Sequence, residues 1–427
     1  MLFYKKVDNI FSFIKKHYHW VIAFVMLLQL AAVGGLGNNY TGLFIMPITE
    51  DLGISRASFS LAFTLKYLFS FITMLLSGML IMRFGNKKPM VAGLLFCGAG
   101  YAILPLSTTT WMLAAGNILL GIGDALCCTA AVSRIISAWF HKYQGLVWGT
   151  VSASTGFGGS IVCVFLSGII QKYGWRTAYF TSSVMILITL VLVILFVKGQ
   201  PEQMGLKPYG LGFSTKMKRI KSENHWAGYD KNELFRQPIF YLALISVLFA
   251  AFAIYLAFDI IVPHLQHQGL TTNEAVAQQS AMLIYLTISK FLSGLLSDWL
   301  GAKPVTIGCT LLGSISLLLL ALVGNVGSAT VAIIFYAFCL PLPTVLIPLL
   351  TCKLFGYRAQ GTHHGIFMSI PQLALLIAAP VSNTIFDLMG SYKPALIIAS
   401  GLALVSTVLF VITSIISKRA RHTAITE

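Results

Sequence analysis

Five charged residues interrupt stretches of sequence that are otherwise apolar: Lys66, Asp124, Arg134, Asp259 and Lys290. A cation held away from water offers its N–H donors to an anionic group, lysine as a compact point charge and arginine as a planar fork. An aspartate in such a setting exchanges protons near neutral pH unless a cation keeps it ionised. Their signs are mixed, three positive and two negative. Neutral hydrogen-bonding groups lie in comparable stretches: Asn38-Asn39-Tyr40, just after Gly34-Gly-Leu-Gly37, and the hydroxyls of Tyr67, Tyr285 and Tyr336. An aromatic on a helix serves packing equally well. His363 and His364 either sense pH or lie at an interface. No nucleophile–base pair or metal cluster has credible spacing, and the seven cysteines, Cys127-Cys128 included, follow no disulfide or zinc pattern. Neither enzymatic activity nor a cofactor or metal is expected.

The elements that position these groups must lie in lipid. Hydrophobic residues make up 57% of the 427 and charged residues 10%, against about 25% charged in soluble domains; the mean hydropathy is +0.83. Stretches of about 20 apolar residues cross a bilayer. They fall near 20–46, 57–82, 89–107, 111–136, 146–170, 176–197, 239–263, 275–297, 304–324, 328–350, 364–387 and 394–416, which makes twelve spans. The apolar run after Lys15-Lys16-His17-Tyr18-His19 continues past signal-peptide length, so the first span is expected to be retained.

Of the 29 basic residues, 22 fall in loops that share one side if the amino terminus is cytoplasmic, including eight between Lys198 and Arg236. Lys and Arg in short loops stay on the cytoplasmic side, which predicts both termini inside the cell membrane. The net charge of +16 then reads as an orientation signal and a match to anionic lipid headgroups, not as a nucleic-acid surface.

Landmarks recur at a constant offset of 216 positions: Pro47, Gly53, Gly78, Gly85, Gly145 and Gly174 return as Pro263, Gly269, Gly294, Gly301, Gly361 and Gly390. A repeat of this size in an apolar chain marks two related halves. The division expected is residues 1–197, a cytoplasmic linker over 198–237 with a short amphipathic helix near Lys216–Lys221, and residues 238–427. The fold class expected is an all-α membrane protein of twelve transmembrane helices in two pseudo-symmetric six-helix bundles.

The loops after spans 2 and 8, Gly78-Met-Leu-Ile-Met-Arg-Phe-Gly-Asn-Lys-Lys88 and Gly294-Leu-Leu-Ser-Asp-Trp-Leu-Gly-Ala-Lys303, resemble the G-x-L-x-D-R-x-G-R-R loop of the major facilitator superfamily. Glycines there permit close helix approach and tight turns, and an aspartate can cap a neighbouring helix. Met82 stands where the pattern has Asp, while Asp298 keeps it. Tyr173-Gly-Trp-Arg176, Pro201-Glu-Gln-Met-Gly-Leu-Lys-Pro-Tyr-Gly210 and Asp387-Leu-Met-Gly-Ser-Tyr-Lys393 resemble the oxalate:formate antiporter and monocarboxylate porter branch. The resemblance implies a carrier, functional as a monomer, that alternates access to a central site. It would move small organic anions by exchange or with a proton.

Lys290-Phe-Leu-Ser-Gly-Leu-Leu-Ser-Asp298 resembles the R-x-x-x-G-x-L-S-D pattern of those carriers with lysine for arginine, which makes Lys290 the expected counter-charge for a carboxylate; otherwise it snorkels to the inner surface. Oxalate-type carriers place a second lysine on span 11, where this chain has none. Lys66 either supplies that charge from the opposite wall or pairs with a carboxylate. Asp259 is the first choice for proton coupling and Asp124 the second, unless Asp124 pairs with Arg134 or Lys66. Arg134, Arg83 and Asp298 are assigned to the inner gate. Asn38, Asn39, Tyr40, Tyr285 and Tyr336 complete the expected substrate site. A drug or sugar carrier of the same superfamily is the alternative. No G-x-x-x-x-G-K-[ST] loop is present, so a gradient is the expected energy source.

Overall fold

A computed structural model describes residues 17–37, 41–210, 229–258, 260–356 and 360–426, and the regular elements among them are helices. Among the described residues, eleven helical stretches are long and apolar enough to cross a membrane. The longest, Gln144–Phe196, turns at Gly174, where φ is 81°, and so makes two passes. The count is therefore the twelve expected. Large apolar side chains such as Trp111, Val164 and Leu388 face outward and are 81%, 77% and 79% exposed, as a lipid-facing surface requires.

The repeat is visible in the backbone. Gly53 and Gly269, Gly85 and Gly301, and Gly174 and Gly390 all adopt positive φ, between 61° and 94°. Each ends a helix in a conformation that a Cβ would strain. These three pairs set equivalent turns in the two halves. Apolar side chains gather into two cores, one built chiefly from residues before Val197 and one chiefly from residues after Leu234.

Two spans expected to be continuous are broken at equivalent positions. Span 4 divides at Cys128 (φ −85°, ψ −134°) into Thr110–Cys127 and Thr129–Trp139. The buried amide of Gln29 inserts there and donates to the Cys127 carbonyl at 2.5 Å. Span 10 runs Val326–Cys339, then a π-helical turn Leu342–Leu346, then Ile347–Phe355. Pro341, Pro343 and Pro348 each remove a backbone donor there. Thr344, in the middle of that turn, is the repeat equivalent of Cys128.

The start of the expected linker is packed onto the first bundle. Tyr209 N donates to the Trp139 carbonyl at 2.8 Å and its own carbonyl accepts from His141 N at 3.0 Å. The ring of His19 lies edge-on to Trp139 and bonds the Lys207 carbonyl at 2.9 Å. The amphipathic segment near Lys216–Lys221 lies outside the described residues, as does Arg358.

Candidate functional site

Spans 5 and 8 cross at glycine. A Cβ on Gly294 would lie 2.2 Å from the Gly145 carbonyl oxygen, and one on Gly149 would lie 2.8 Å from the Lys290 carbonyl oxygen. Spans 2 and 11 make the equivalent approach in the other half of the repeat, where a Cβ on Gly365 would sit 3.1 Å from the Met74 carbonyl. The two bundles thus meet at the end that carries the turns at Gly85 and Gly301. At this end Asp298 accepts from Gly145 N–H at 2.9 Å and from Leu146 N–H at 2.8 Å, capping span 5 across the interface. Met82, its repeat counterpart, carries no carboxylate and is 54% exposed.

On that second side a cross-bundle polar contact joins Ser133 Oγ and His364 Nε2 at 3.1 Å. His363 bonds the Gly356 carbonyl at 3.1 Å. Both histidines are fully buried, which corrects the interfacial alternative: span 11 begins inside the bundle contact, not at the headgroups. Arg134 is buried beside Ser133. Arg83 is exposed near the turn, its guanidinium 5.4 Å from the Phe84 ring centre.

Beyond this contact lies a cavity of about 200 Å³ lined by both bundles. The first half contributes Tyr67, Asp124, Cys128 and Thr155, and the second Tyr255, Lys290, Thr344 and Gln372. Both helix breaks therefore open onto it, as irregular backbone in a membrane must open onto a cavity or be buried in protein.

Lys290 is 5% exposed, and its ammonium donates to Thr155 Oγ1 at 2.6 Å. Among the described residues no carboxylate pairs with it. On the facing wall Gly121 and Gly123 bring Asp124 into place. A Cβ on Gly121 would lie 2.2 Å from the Lys66 carbonyl oxygen, and one on Gly123 would lie 2.5 Å from Cys97 Sγ. Span 4 is thereby pressed onto spans 2 and 3, and Asp124 Oδ2 stands 4.0 Å from Lys66 Nζ. Lys66 also donates to the Gly37 carbonyl at 2.6 Å.

Lys66 is 3% exposed, sits behind Asp124 and is not among the described residues lining the cavity, so of its two alternatives the geometry favours the pairing with a carboxylate. The choice left open for Asp124 falls to Lys66, the cation that stands within 4.0 Å of its carboxylate among the described residues. Lys66 and Asp124 offset one another. Among the described residues lining the cavity, Lys290 is then the uncompensated charge.

Tyr336 and Tyr285 do not line the cavity. Tyr336 is fully buried in the second bundle and donates to the Ile254 carbonyl at 2.5 Å; Tyr285 packs against the same core. Packing holds both, which corrects their assignment to the substrate site. Asn38, Asn39, Tyr40 and Asp259 lie outside the described residues. Sequence reasoning passed over Thr155, Thr344 and Gln372. Gln372, beside Pro371 in a span, was within reach of the rule that found the charges, had it been applied to amides.

A family model described as the Major Facilitator Superfamily matches residues 25–362. The oxalate:formate antiporter of Oxalobacter formigenes is 25% identical over 44% of this chain and 44% of its own. Multidrug resistance protein 2 of Bacillus subtilis is 26% identical over 86% of this chain and 90% of its own. Among solved structures, the proton:xylose symporter XylE superimposes with a TM-score of 0.72 at 18% identity, covering 92% of this chain and 95% of that one.

Proposed function

The chain belongs to the Major Facilitator Superfamily, a family of secondary carriers, and from that premise we propose that it moves a small monovalent organic anion of the monocarboxylate type. The observation that carries this reading is the balance of charge at the cavity. Among the described residues, one cavity-lining ammonium, Lys290, faces a Lys66–Asp124 pair that cancels itself, so a single carboxylate balances the charge they leave. A buried cation left without a counter-charge is expensive, and an anionic solute relieves that cost. The resemblance to the oxalate:formate branch agrees with this choice.

Asp124 is the proton site that the described geometry favours, because it faces the cavity and Lys66 is at hand to pair with its ionised form. Asp259, the first choice from sequence, is proposed alongside it. Transport is by proton symport or anion exchange, with the bundles of residues 1–197 and 238–427 rocking about the cavity. Asp298, Arg134 and Arg83 belong to the gate on the side of the Gly85 and Gly301 turns. Both termini are cytoplasmic and the monomer is the working unit.

Drug efflux is the rival reading, and the longer match to a multidrug protein favours it. A cavity of about 200 Å³ falls below the roughly 300–1,000 Å³ of sites for drug-sized ligands. Counter-flow in proteoliposomes with labelled lactate, pyruvate, formate, oxalate, xylose and a lipophilic cation separates the two. Accumulation of an acid supports the proposal; accumulation of the cation or the sugar alone defeats it.

A further inference from the structure

We propose that Thr155 is a positioning residue that restrains the empty carrier, by holding Lys290 across the bundle interface until a substrate carboxylate takes its place. This rests on the reading of Lys290 as counter-charge. The Thr155 hydroxyl donates to the Ser152 carbonyl at 2.9 Å, which commits its single proton. Its oxygen accepts from Lys290 Nζ at 2.6 Å. Span 1 fixes the rotamer, since a Cβ on Gly34 would lie 2.7 Å from Thr155 Cγ2. The threonine is therefore wedged with its methyl against one helix and its oxygen toward another.

The bond also sits on the seam along which the bundles must part. Gly145, Gly149, Ser152 and Gly156 share one face of span 5, and a Cβ on Gly156 would stand 2.3 Å from Thr287 Oγ1 of span 8. When the seam opens, Lys290 loses the Thr155 oxygen, and a buried ammonium without that acceptor is costly. A bound carboxylate supplies the missing oxygen. The loaded carrier can then cross while the empty one is held back. Thr155 thus favours exchange over net flux.

The test uses proteoliposomes preloaded with labelled formate, lactate, pyruvate or oxalate, with efflux measured into buffer with and without the same unlabelled acid. The wild-type protein should be accelerated by external acid. Thr155→Val keeps the branched shape and removes the acceptor. It should raise efflux into acid-free buffer about tenfold relative to exchange, the size expected for a lost hydrogen bond to a charged group. Thr155→Ser should keep the wild-type ratio. The exchange rate in the same vesicles reports folding, and Thr155→Ala replaces the valine variant should that variant fail to assemble.

A wild-type ratio in the acceptor-free variant, a serine variant that behaves like valine, or a wild-type protein without acceleration overturns the inference. Lys290→Gln separates the layers. Loss of transport there with an unchanged ratio in Thr155→Val removes the Thr155 inference alone. Unimpaired anion transport in Lys290→Gln, or no transport of any of the four acids by the wild type, removes the counter-charge reading and this inference with it.

Discussion

Removing the carboxylate of Asp298 should open the seam between spans 5 and 8. That side chain accepts two backbone N–H groups from the first turn of span 5, at 2.9 Å and 2.8 Å, and it does so from the other bundle. Loss of a helix N-cap costs about 1 kcal/mol, and loss of a negative charge at a helix N-terminus costs a further 0.3–1 kcal/mol or so. Asp298 is exposed at this end, so salt reduces the second contribution. The sum, about 1.5 kcal/mol, corresponds to a roughly tenfold shift of the closed-to-open ratio. Spin labels at Lys88 and Leu300, in a background with the native cysteines replaced, measure the separation of the bundles by double electron–electron resonance. Asp298→Ala should populate a longer distance, and Asp298→Asn, which keeps one acceptor, should fall between the two. An Asp298→Ala distribution that matches the wild type would refute the reasoning, because the cap would then contribute nothing to closure.

Other consequences can be checked in the same preparations. Asp124→Asn should abolish stimulation by a proton gradient while exchange persists; intact gradient-driven uptake would move the proton site to Asp259 or point to pure exchange. The same change leaves Lys66 without its carboxylate, at a cost of about 3 kcal/mol for a broken buried pair. Thermal unfolding should recover when Lys66→Met is added, and no recovery would mean that the 4.0 Å pair contributes little. Gly294→Leu places a side chain where even a Cβ lies 2.2 Å from the Gly145 carbonyl. It should hold the seam open and eliminate transport, and normal turnover would contradict the close crossing.

The turns were the most legible part of the structure, because a glycine that recurs at a fixed offset reports a backbone demand that no other residue meets cheaply. Gly53, Gly85 and Gly174 share positive φ with their repeat partners for that reason. The capping role of Asp298 was legible because its loop pattern puts a carboxylate at a helix crossing. That Lys66 and Asp124 interrupt apolar spans was also legible, but their facing was not. Gly121 against the Lys66 backbone decides that, and such a contact depends on how two helices rotate. The break at Cys128 left no local trace, since it involves Gln29, 98 residues before the Cys127 carbonyl that it bonds. The prolines of span 10, by contrast, were in plain view. Thr155 was passed over because a lone hydroxyl in an apolar helix is ordinary; its partner stands 135 residues further along the chain.

The central claim is that Lys290 neutralises a monovalent organic anion, and the most direct test is concentration-dependent uptake of labelled formate, lactate and pyruvate by wild-type and Lys290→Gln protein in the same proteoliposomes. Loss of a charged hydrogen-bonding partner is worth about 1.5–3 kcal/mol. The predicted result is saturable wild-type uptake and an apparent affinity weakened at least tenfold in Lys290→Gln, with partial recovery in Lys290→Arg. Equal affinities in the wild type and Lys290→Gln would contradict the account.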